Sequence, residues 1–290
     1  MTKATWTPQA RREGMRQVAV ITGASSGIGA EFARQLAPVG MGLVLVARRR
    51  QRLERLAEHL AGMHGVPVEI VVCDLADRNA LEALAVQLAA RSDIELLVSN
   101  AGLGLVGRFA ASDPARQIYQ LDLHVIASTR LTRAVLPQMA ARRGGAIVQV
   151  SSLAGVIPRL SSPTYGPSKA YLNAFSEALE GELAGSGICF QALCPGFTRT
   201  EFHSTPEYAG VDVHARVPAF LWLSAEQVVQ ESLAGLAKGK RKVIPGRTYR
   251  WLAALGGNGL AQGIAARWRA ARRRAGRPRT QDRQPTTRPG

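Results

Sequence analysis

No apolar run in this sequence approaches the roughly 20 residues that a membrane-spanning helix needs. The N-terminal stretch MTKATWTPQARREGMRQ also has no apolar core of the kind a secretion signal carries. Both absences favour a cytoplasmic location. There are only three cysteines, Cys73, Cys189 and Cys194, an odd count without metal-ligand spacing. They read as reduced core thiols, not as a disulfide framework or a metal site. Histidine is scarce too, and His203 and His214 have no metal-ligand partners at recognisable spacing, so they read as surface residues. Acidic residues number 21 against 37 Lys and Arg, a net charge of +16. Such an excess ordinarily points to nucleic acid or an anionic membrane. Its distribution weakens that inference, because residues 267–290 hold nine arginines against one aspartate and so account for +8 of the +16. This Pro-, Gly-, Thr- and Gln-rich tail is expected to be disordered. The rest is an ordinary basic protein, and no nucleic-acid recognition motif accompanies the tail.

What is present is a regular alternation. With 290 residues, 46% of them hydrophobic, the chain is long enough to bury a sizeable core. Strand-like apolar runs lie at 18–22, 42–47, 67–73, 95–99, 145–151, 188–194 and 241–245, and helical patterns at 28–38, 50–62, 78–91, 113–141, 164–184 and 224–238. Alternation of this kind builds right-handed crossovers and a parallel sheet covered on both faces, so the expected fold is a single doubly wound α/β domain. Ligands of such sheets bind outside the carboxyl ends of the strands. Those ends carry the turn at Gly23, Gly27 and Gly29, then Arg48 and Arg49, Asp74 and Leu75, Asn100 to Gly102, Ser151 and Ser152, and Pro195, Gly196 and Thr198. Small, polar and basic residues at all six ends point to one site.

Two segments carry the chemistry. VAVITGASSGIGAEF (residues 18–32) places three glycines at a strand-to-helix junction. There they permit positive φ and close backbone approach, while the helix N-terminus favours an anion. The spacing is Gly-x-x-x-Gly-x-Gly, which differs from the commoner Gly-x-Gly-x-x-Gly. In TYGPSKAYLNAF, Tyr165 and Lys169 are four residues apart and project from one helical face. A phenol with an ordinary pKa near 10 is a poor acid or base at neutral pH, and a neighbouring ammonium lowers it into a useful range. Ser152 ends a strand thirteen residues earlier and is placed to direct a hydroxyl at the same oxygen.

Together these segments resemble the short-chain dehydrogenase/reductase family. The resemblance rests on TGASSGIG (Thr22 to Gly29), CDL (Cys73 to Leu75), SNAG (Ser99 to Gly102), VSSLAG (Val150 to Gly155), YGPSK (Tyr165 to Lys169) and CPGFTRT (Cys194 to Thr200), six motifs in family order and spacing across residues 16–250. It implies a Rossmann-like fold and hydride transfer between a nicotinamide cofactor and a carbonyl/alcohol pair. It implies Tyr165 as general acid/base, Lys169 on the nicotinamide ribose, and Ser152 on the carbonyl oxygen as charge develops. The cofactor would be lined by Gly23, Ser25, Ser26, Gly27, Ile28, Gly29, Arg48, Asp74, Leu75, Asn100, Ala101, Gly102, Pro195, Gly196 and Thr198, with Tyr165 and Lys169. It also implies a homodimer or tetramer. One departure stands out: His124 occupies the place of the family's usual asparagine. Either it packs as a tolerated substitution, preserving a main-chain relay, or it takes part in proton transfer.

Charge argues for NADP(H). An NAD enzyme of this fold carries an acidic residue at the end of strand two. Here that position is Ala47, followed by Arg48, and guanidinium suits phosphate. Arg49 and Arg50 read as a solvated first helical turn. Ser26 stands where the family often has a second basic group. Residues 200–225 are the expected lid, with Phe202, Tyr208, Phe220, Leu221 and Trp222 suggesting a hydrophobic ketone, aldehyde or acyl substrate. The expected layout is an N-terminal extension at 1–15, the domain at 16–250, an amphipathic segment at 251–268 that permits peripheral membrane contact, and the basic tail at 269–290. Two rival readings are a dinucleotide-occupied scaffold acting through its basic C-terminus, and NAD-linked oxidation.

Overall fold

The structure, a computed structural model, describes residues 4–9, 11–12, 15–157, 162–208 and 210–256. The expected segment at 251–268 therefore lies largely outside the described residues, and the tail at 269–290 entirely so. Seven parallel strands form one sheet: β1 (Val18–Thr22), β2 (Gly42–Ala47), β3 (Val68–Val72), β4 (Ile94–Ser99), β5 (Gly145–Val150), β6 (Ile188–Leu193) and β7 (Lys242–Val243). Their order is β7-β6-β5-β4-β1-β2-β3. The chain winds outward from β1 through β3, then returns to the other side of β1 at β4, so the switch point lies between the glycine turn and Asn100.

Period-two alternation sends each strand's side chains to two helical layers. On one face Ile21, Leu45, Leu96 and Val148 pack against Phe32 and Leu36 of α1 (Gly27–Leu36), Leu53 and Leu60 of α2 (Arg50–His64), and Val228 and Leu236 of α7 (Ala225–Leu236). On the other, Val20, Val44, Leu97 and Ile147 meet Leu81 and Leu84 of α3 (Arg78–Ala89) and Leu131 and Met139 of α5 (Ala127–Ala141). Each such side chain contributes roughly 1.5–3 kcal/mol on full burial. Leu179 of α6 (Tyr165–Glu182) also packs on this second layer. All three cysteines are free and buried, as expected. No helix among the described residues is long and apolar enough to cross a membrane.

Two expectations are corrected. The last strand is Lys242–Val243, shorter than 241–245, because it pairs with one neighbour only, at the sheet edge. The single helix expected over 113–141 is two helices, α4 (Pro114–Leu121) and α5, joined by a π-turn at Asp122–Ile126. The extra residue of a π-turn rotates the helical turns beyond it, and this one holds the fully buried His124.

Candidate active site

The glycine turn has the backbone that the sequence requires. Gly23 and Gly27 have φ of +65° and +57°. A Cβ on Gly29 would lie 2.5 Å from the Gly23 carbonyl oxygen and from Asn100 Nδ2, so the first turn of α1 can approach the sheet edge only without a side chain. Asn100 donates from Nδ2 to the Thr22 carbonyl at 2.9 Å, and its own N–H and that of Ala101 donate to Thr22 Oγ1 at 2.8 and 3.0 Å. These bonds tie the ends of β1 and β4 together across the switch point. The result is a cradle of backbone N–H groups at a helix N-terminus, which fits a dinucleotide pyrophosphate. Ile28 packs against the core beside it, and Leu75 is buried in the opposite core layer.

The expected catalytic triplet converges at the ends of β5 and α6. Ser152 caps a one-turn helix, Leu153–Val156, accepting from the Ala154 N–H at 3.1 Å. Its hydroxyl also favours the ionised form of the Tyr165 phenol. Tyr165 opens α6, and Lys169 follows one turn later, 4% exposed. The expectation that the ammonium lowers the tyrosine pKa is not met in this conformation. Lys169 Nζ donates to the Val150 carbonyl at 2.8 Å and lies 5.8 Å from the Tyr165 ring centroid. Burial pushes the phenol up to about 12, opposed by the Ser152 hydroxyl, and burial pulls Lys169 down to about 7.

His124 joins this cluster. The Leu103 N–H donates to its Nε2 at 3.1 Å, so the proton of the neutral ring is on Nδ1, 2.9 Å from Ser168 Oγ. Ser168 Oγ in turn donates to the Tyr165 carbonyl at 2.8 Å. Burial, then the nearby Lys169, holds the imidazole well below its ordinary pKa. Its ring meets that of Tyr165 edge-on, centroids 5.6 Å apart. A Cβ on Gly102 would come within 2.9 Å of Nε2 and 3.5 Å of Lys169 Nζ. His124 thus ties the loop after β4 to the helix carrying Tyr165.

At the end of β2 the arginines differ from expectation. Arg48 Nη1 donates to Tyr119 Oη at 2.6 Å and lies 3.7 Å from Asp74. Tyr119 Oη donates to both Asp74 oxygens, at 2.9 and 3.0 Å. Burial and this bond to Asp74 push Tyr119 up to about 12. Arg49 is not merely solvated. Its Nη2 donates to Ser25 Oγ at 2.9 Å and to Ser26 Oγ at 2.7 Å, and its Nη1 donates to Glu201 at 2.8 Å. The positive charge that Ser26 lacks is therefore supplied in space by Arg49. Among the described residues Arg50 pairs with Glu54, one turn along α2.

The third wall comes after β6. The Pro195 carbonyl accepts from the Leu153 N–H at 2.8 Å, and the buried Thr198 donates to the Gly196 carbonyl at 3.1 Å. Tyr249 of α8 (Arg247–Gly256) packs its ring on Gly196, accepts from the Phe197 N–H at 3.0 Å and donates to the Leu221 carbonyl. Beyond Thr200, Phe202 lies 6.1 Å from Tyr165, ring to ring, and 6.0 Å from Tyr208. His203 is corrected from a surface residue. It sits half-buried among Phe197, Phe202, Tyr208 and Trp222, and burial pulls it down to about 4. His214 is exposed and stacks on Trp222 at 4.3 Å. Phe220, expected in the lid, is 74% exposed and does not line the cleft wall.

Tyr119, Glu201 and Tyr249 carry no motif that marks them as site residues, and Arg49, though at a strand end, reads as solvated. Each is brought in by a helix or turn whose partner is distant in sequence. Among the described residues there is no cluster of His, Cys, Asp or Glu that would hold a metal ion.

Comparison with known proteins agrees with this geometry. The family model described as short chain dehydrogenase matches residues 17–207. Sulfoacetaldehyde reductase 2 of Chromohalobacter salexigens is 37% identical over 196 residues, covering 65% of this chain and 75% of the relative. A short-chain dehydrogenase from Sphingobium yanoikuyae, solved in complex with NADPH, superposes with a TM-score of 0.75 at 33% identity over 92% of this chain and 98% of its own. A bulky-bulky ketone specific alcohol dehydrogenase from Comamonas testosteroni gives 0.71 at 29%, over 92% and 97%. A seven-stranded doubly wound sheet, a glycine cradle at its switch point and Ser152, Tyr165 and Lys169 gathered beside it therefore belong to one lineage: the chain is a member of the short-chain dehydrogenase/reductase family, nucleotide-binding oxidoreductases acting on alcohol and carbonyl groups.

Proposed function

We propose that the chain is an NADP(H)-dependent reductase of hydrophobic ketones or aldehydes. The observation that carries this reading is the convergence of Ser152, Tyr165 and Lys169 beside a cradle that only glycine can form, with two guanidinium groups at the end of β2. The nicotinamide ring, when bound, supplies the hydride. Tyr165 carries its proton at neutral pH, since burial holds its pKa near 12, and so it holds the proton that a reduced carbonyl oxygen requires. Ser152 steadies the negative charge on that oxygen. Lys169, pulled down to about 7 by burial, would hold the ribose hydroxyls. Gly23 to Gly29 and Asn100 to Gly102 hold the pyrophosphate and ribose side, and Pro195 to Thr198 the carboxamide side.

Preference for the 2′-phosphate is supported by Ala47, which brings no repelling carboxylate, and by Arg48 and Arg49, which bring guanidinium donors to that end. Hydrophobic substrate class is supported by Phe202 beside Tyr165 and Tyr208 beside Phe202. Titration of the purified full chain with NADPH and NADH, followed by turnover on hydrophobic ketones and aldehydes, tests the reading. NADPH is expected to bind more tightly by about tenfold or more, and Arg48→Ala to reduce that ratio by an amount consistent with one charged hydrogen bond. Equal affinities for the two nucleotides would overturn the cofactor assignment.

A further inference from the structure

The turn after β6 touches both ends of the cleft. Thr200 lies against the glycine turn: a Cβ on Gly27 would be 3.1 Å from Thr200 Cβ. One residue later, Glu201 accepts from Arg49 Nη1 at 2.8 Å and from Arg52 Nη1. One residue further, Phe202 faces the Tyr165 ring at 6.1 Å. Each of the three guanidinium nitrogens of Arg49 is engaged in this arrangement. Its Nε and Nη2 serve Ser25 and Ser26, and its Nη1 serves Glu201.

We propose that Glu201 is a specificity-determining residue: its carboxylate holds the guanidinium groups that would otherwise receive the cofactor's 2′-phosphate, and its displacement couples cofactor charge to the aromatic wall at Tyr165. This rests on the NADP(H) reading above and extends it to the substrate side. The argument is one of competition. A phosphate monoester dianion and a carboxylate seek the same planar guanidinium donors, and the two anions repel each other at the same site. The carboxylate is also the weaker holder. Arg49, Arg52 and Glu201 are each about 40% exposed or more (side chains 44%, 39% and 46%), and an exposed ion pair contributes little. A ligand anchored elsewhere by the glycine cradle brings its phosphate at high effective concentration and takes Arg49 from Glu201. Glu201 sits within the short 3-10 turn Glu201–Ser204, capped by Thr200, so its release alters the seat of Phe202. NADH, lacking the phosphate, leaves the pair closed.

The test is affinity and steady-state kinetics of the full chain carrying Glu201→Gln, with Glu201→Ala as a second variant and a thermal melt to verify folding. The expected result is NADPH affinity tightened about three- to tenfold in both variants, as removal of one exposed competing charge implies, with NADH affinity changed less than twofold. With NADH as reductant, the ketone KM is expected to fall toward the value measured with NADPH. If the wild type prefers NADPH and both variants bind it no more tightly, the inference falls and the cofactor assignment stands. If the wild type shows no preference but Glu201→Gln creates one, the inference stands, and the wild-type assignment must be revised. If neither protein distinguishes the nucleotides, both fall.

Discussion

The two ends of the cleft are built on one sheet edge but in different surroundings. At the β5 and α6 end, His124, Lys169 and Ser168 are 0%, 4% and 2% exposed, and every polar group named there has its partner in the backbone or in a neighbouring buried side chain. At the β2 end, Arg48, Arg49 and Glu201 are roughly half exposed, Arg48 pairing with Asp74 and Arg49 with Glu201. In a low-dielectric interior an unpaired polar group is costly, so geometry there is over-determined. In the exposed region charges exchange partners at little cost. In the proposed reaction the buried end would fix the reacting atoms, and the exposed end would adapt to what the cofactor carries.

The largest effect is expected at the buried end. Tyr165→Phe removes the proton donor while retaining the ring that His124 and Phe202 contact. Turnover is expected to fall about 10²–10⁴-fold, the range general acid catalysis supplies, with nucleotide affinity within about twofold by titration. Turnover close to wild type would remove Tyr165 from the proposed chemistry and erase the distinction between the two ends.

A smaller effect separates packing from chemistry at the same end. His124→Ala leaves the Leu103 N–H without its acceptor and empties the space beside Tyr165. The expected loss is about 2–4 kcal/mol in urea unfolding, partly restored by His124→Asn. The pH dependence has a definite sign. In the unfolded chain this histidine takes up a proton near 6.5, whereas burial keeps it neutral in the fold to a much lower pH. Its contribution is complete above about pH 6.5 and declines as pH falls, by about 1.4 kcal/mol per pH unit while only the unfolded form is protonated. His203, pulled down to about 4, adds in the same direction. Unfolding at pH 7.5 and 5.5 is expected to show a shallower decline for His124→Asn than for the wild type. An unchanged slope would assign the effect to His203 alone.

These differences also explain which features are legible in the sequence. All seven strands and most helices can be read from apolar runs and periodicity, because a sheet covered on both faces needs continuous hydrophobic strands. Asp74, Asn100 and Ser152 are legible because ends of parallel strands collect ligands, and Tyr165 and Lys169 because four-residue spacing sets both on one helical face. The π-turn at Asp122–Ile126 is not, since one extra residue in a helix leaves no compositional mark and shows only when a side chain such as His124 must face inward. Arg49 reads as a solvated helical residue because its serine partners lie 23 and 24 positions earlier and Glu201 lies 152 later. Tyr249 is hidden for the same reason, sitting 52 residues from the Phe197 N–H that it receives. Long-range pairing is decided by topology, not by local pattern.

The smallest expected effect tests whether the exposed end is as adaptable as its solvation implies. Tyr119 Oη accepts from Arg48 and donates to Asp74, so it spaces an ion pair that would otherwise close. Tyr119→Phe removes only that oxygen. Because Asp74 and Arg48 are both open to solvent, side chains 37% and 62% exposed, the stability change is expected to stay below about 1 kcal/mol. Without the spacer Arg48 turns to Asp74 directly, and NADPH affinity is expected to weaken about two- to fivefold, the scale of one exposed charged contact. That deficit should shrink as salt is raised from about 0.05 to 0.5 M, because screening weakens the competing Arg48 and Asp74 pair. A loss of several kcal/mol in stability would show instead that Tyr119 is held as rigidly as His124, and the contrast between the two ends would then lie in sequence distance and not in solvation.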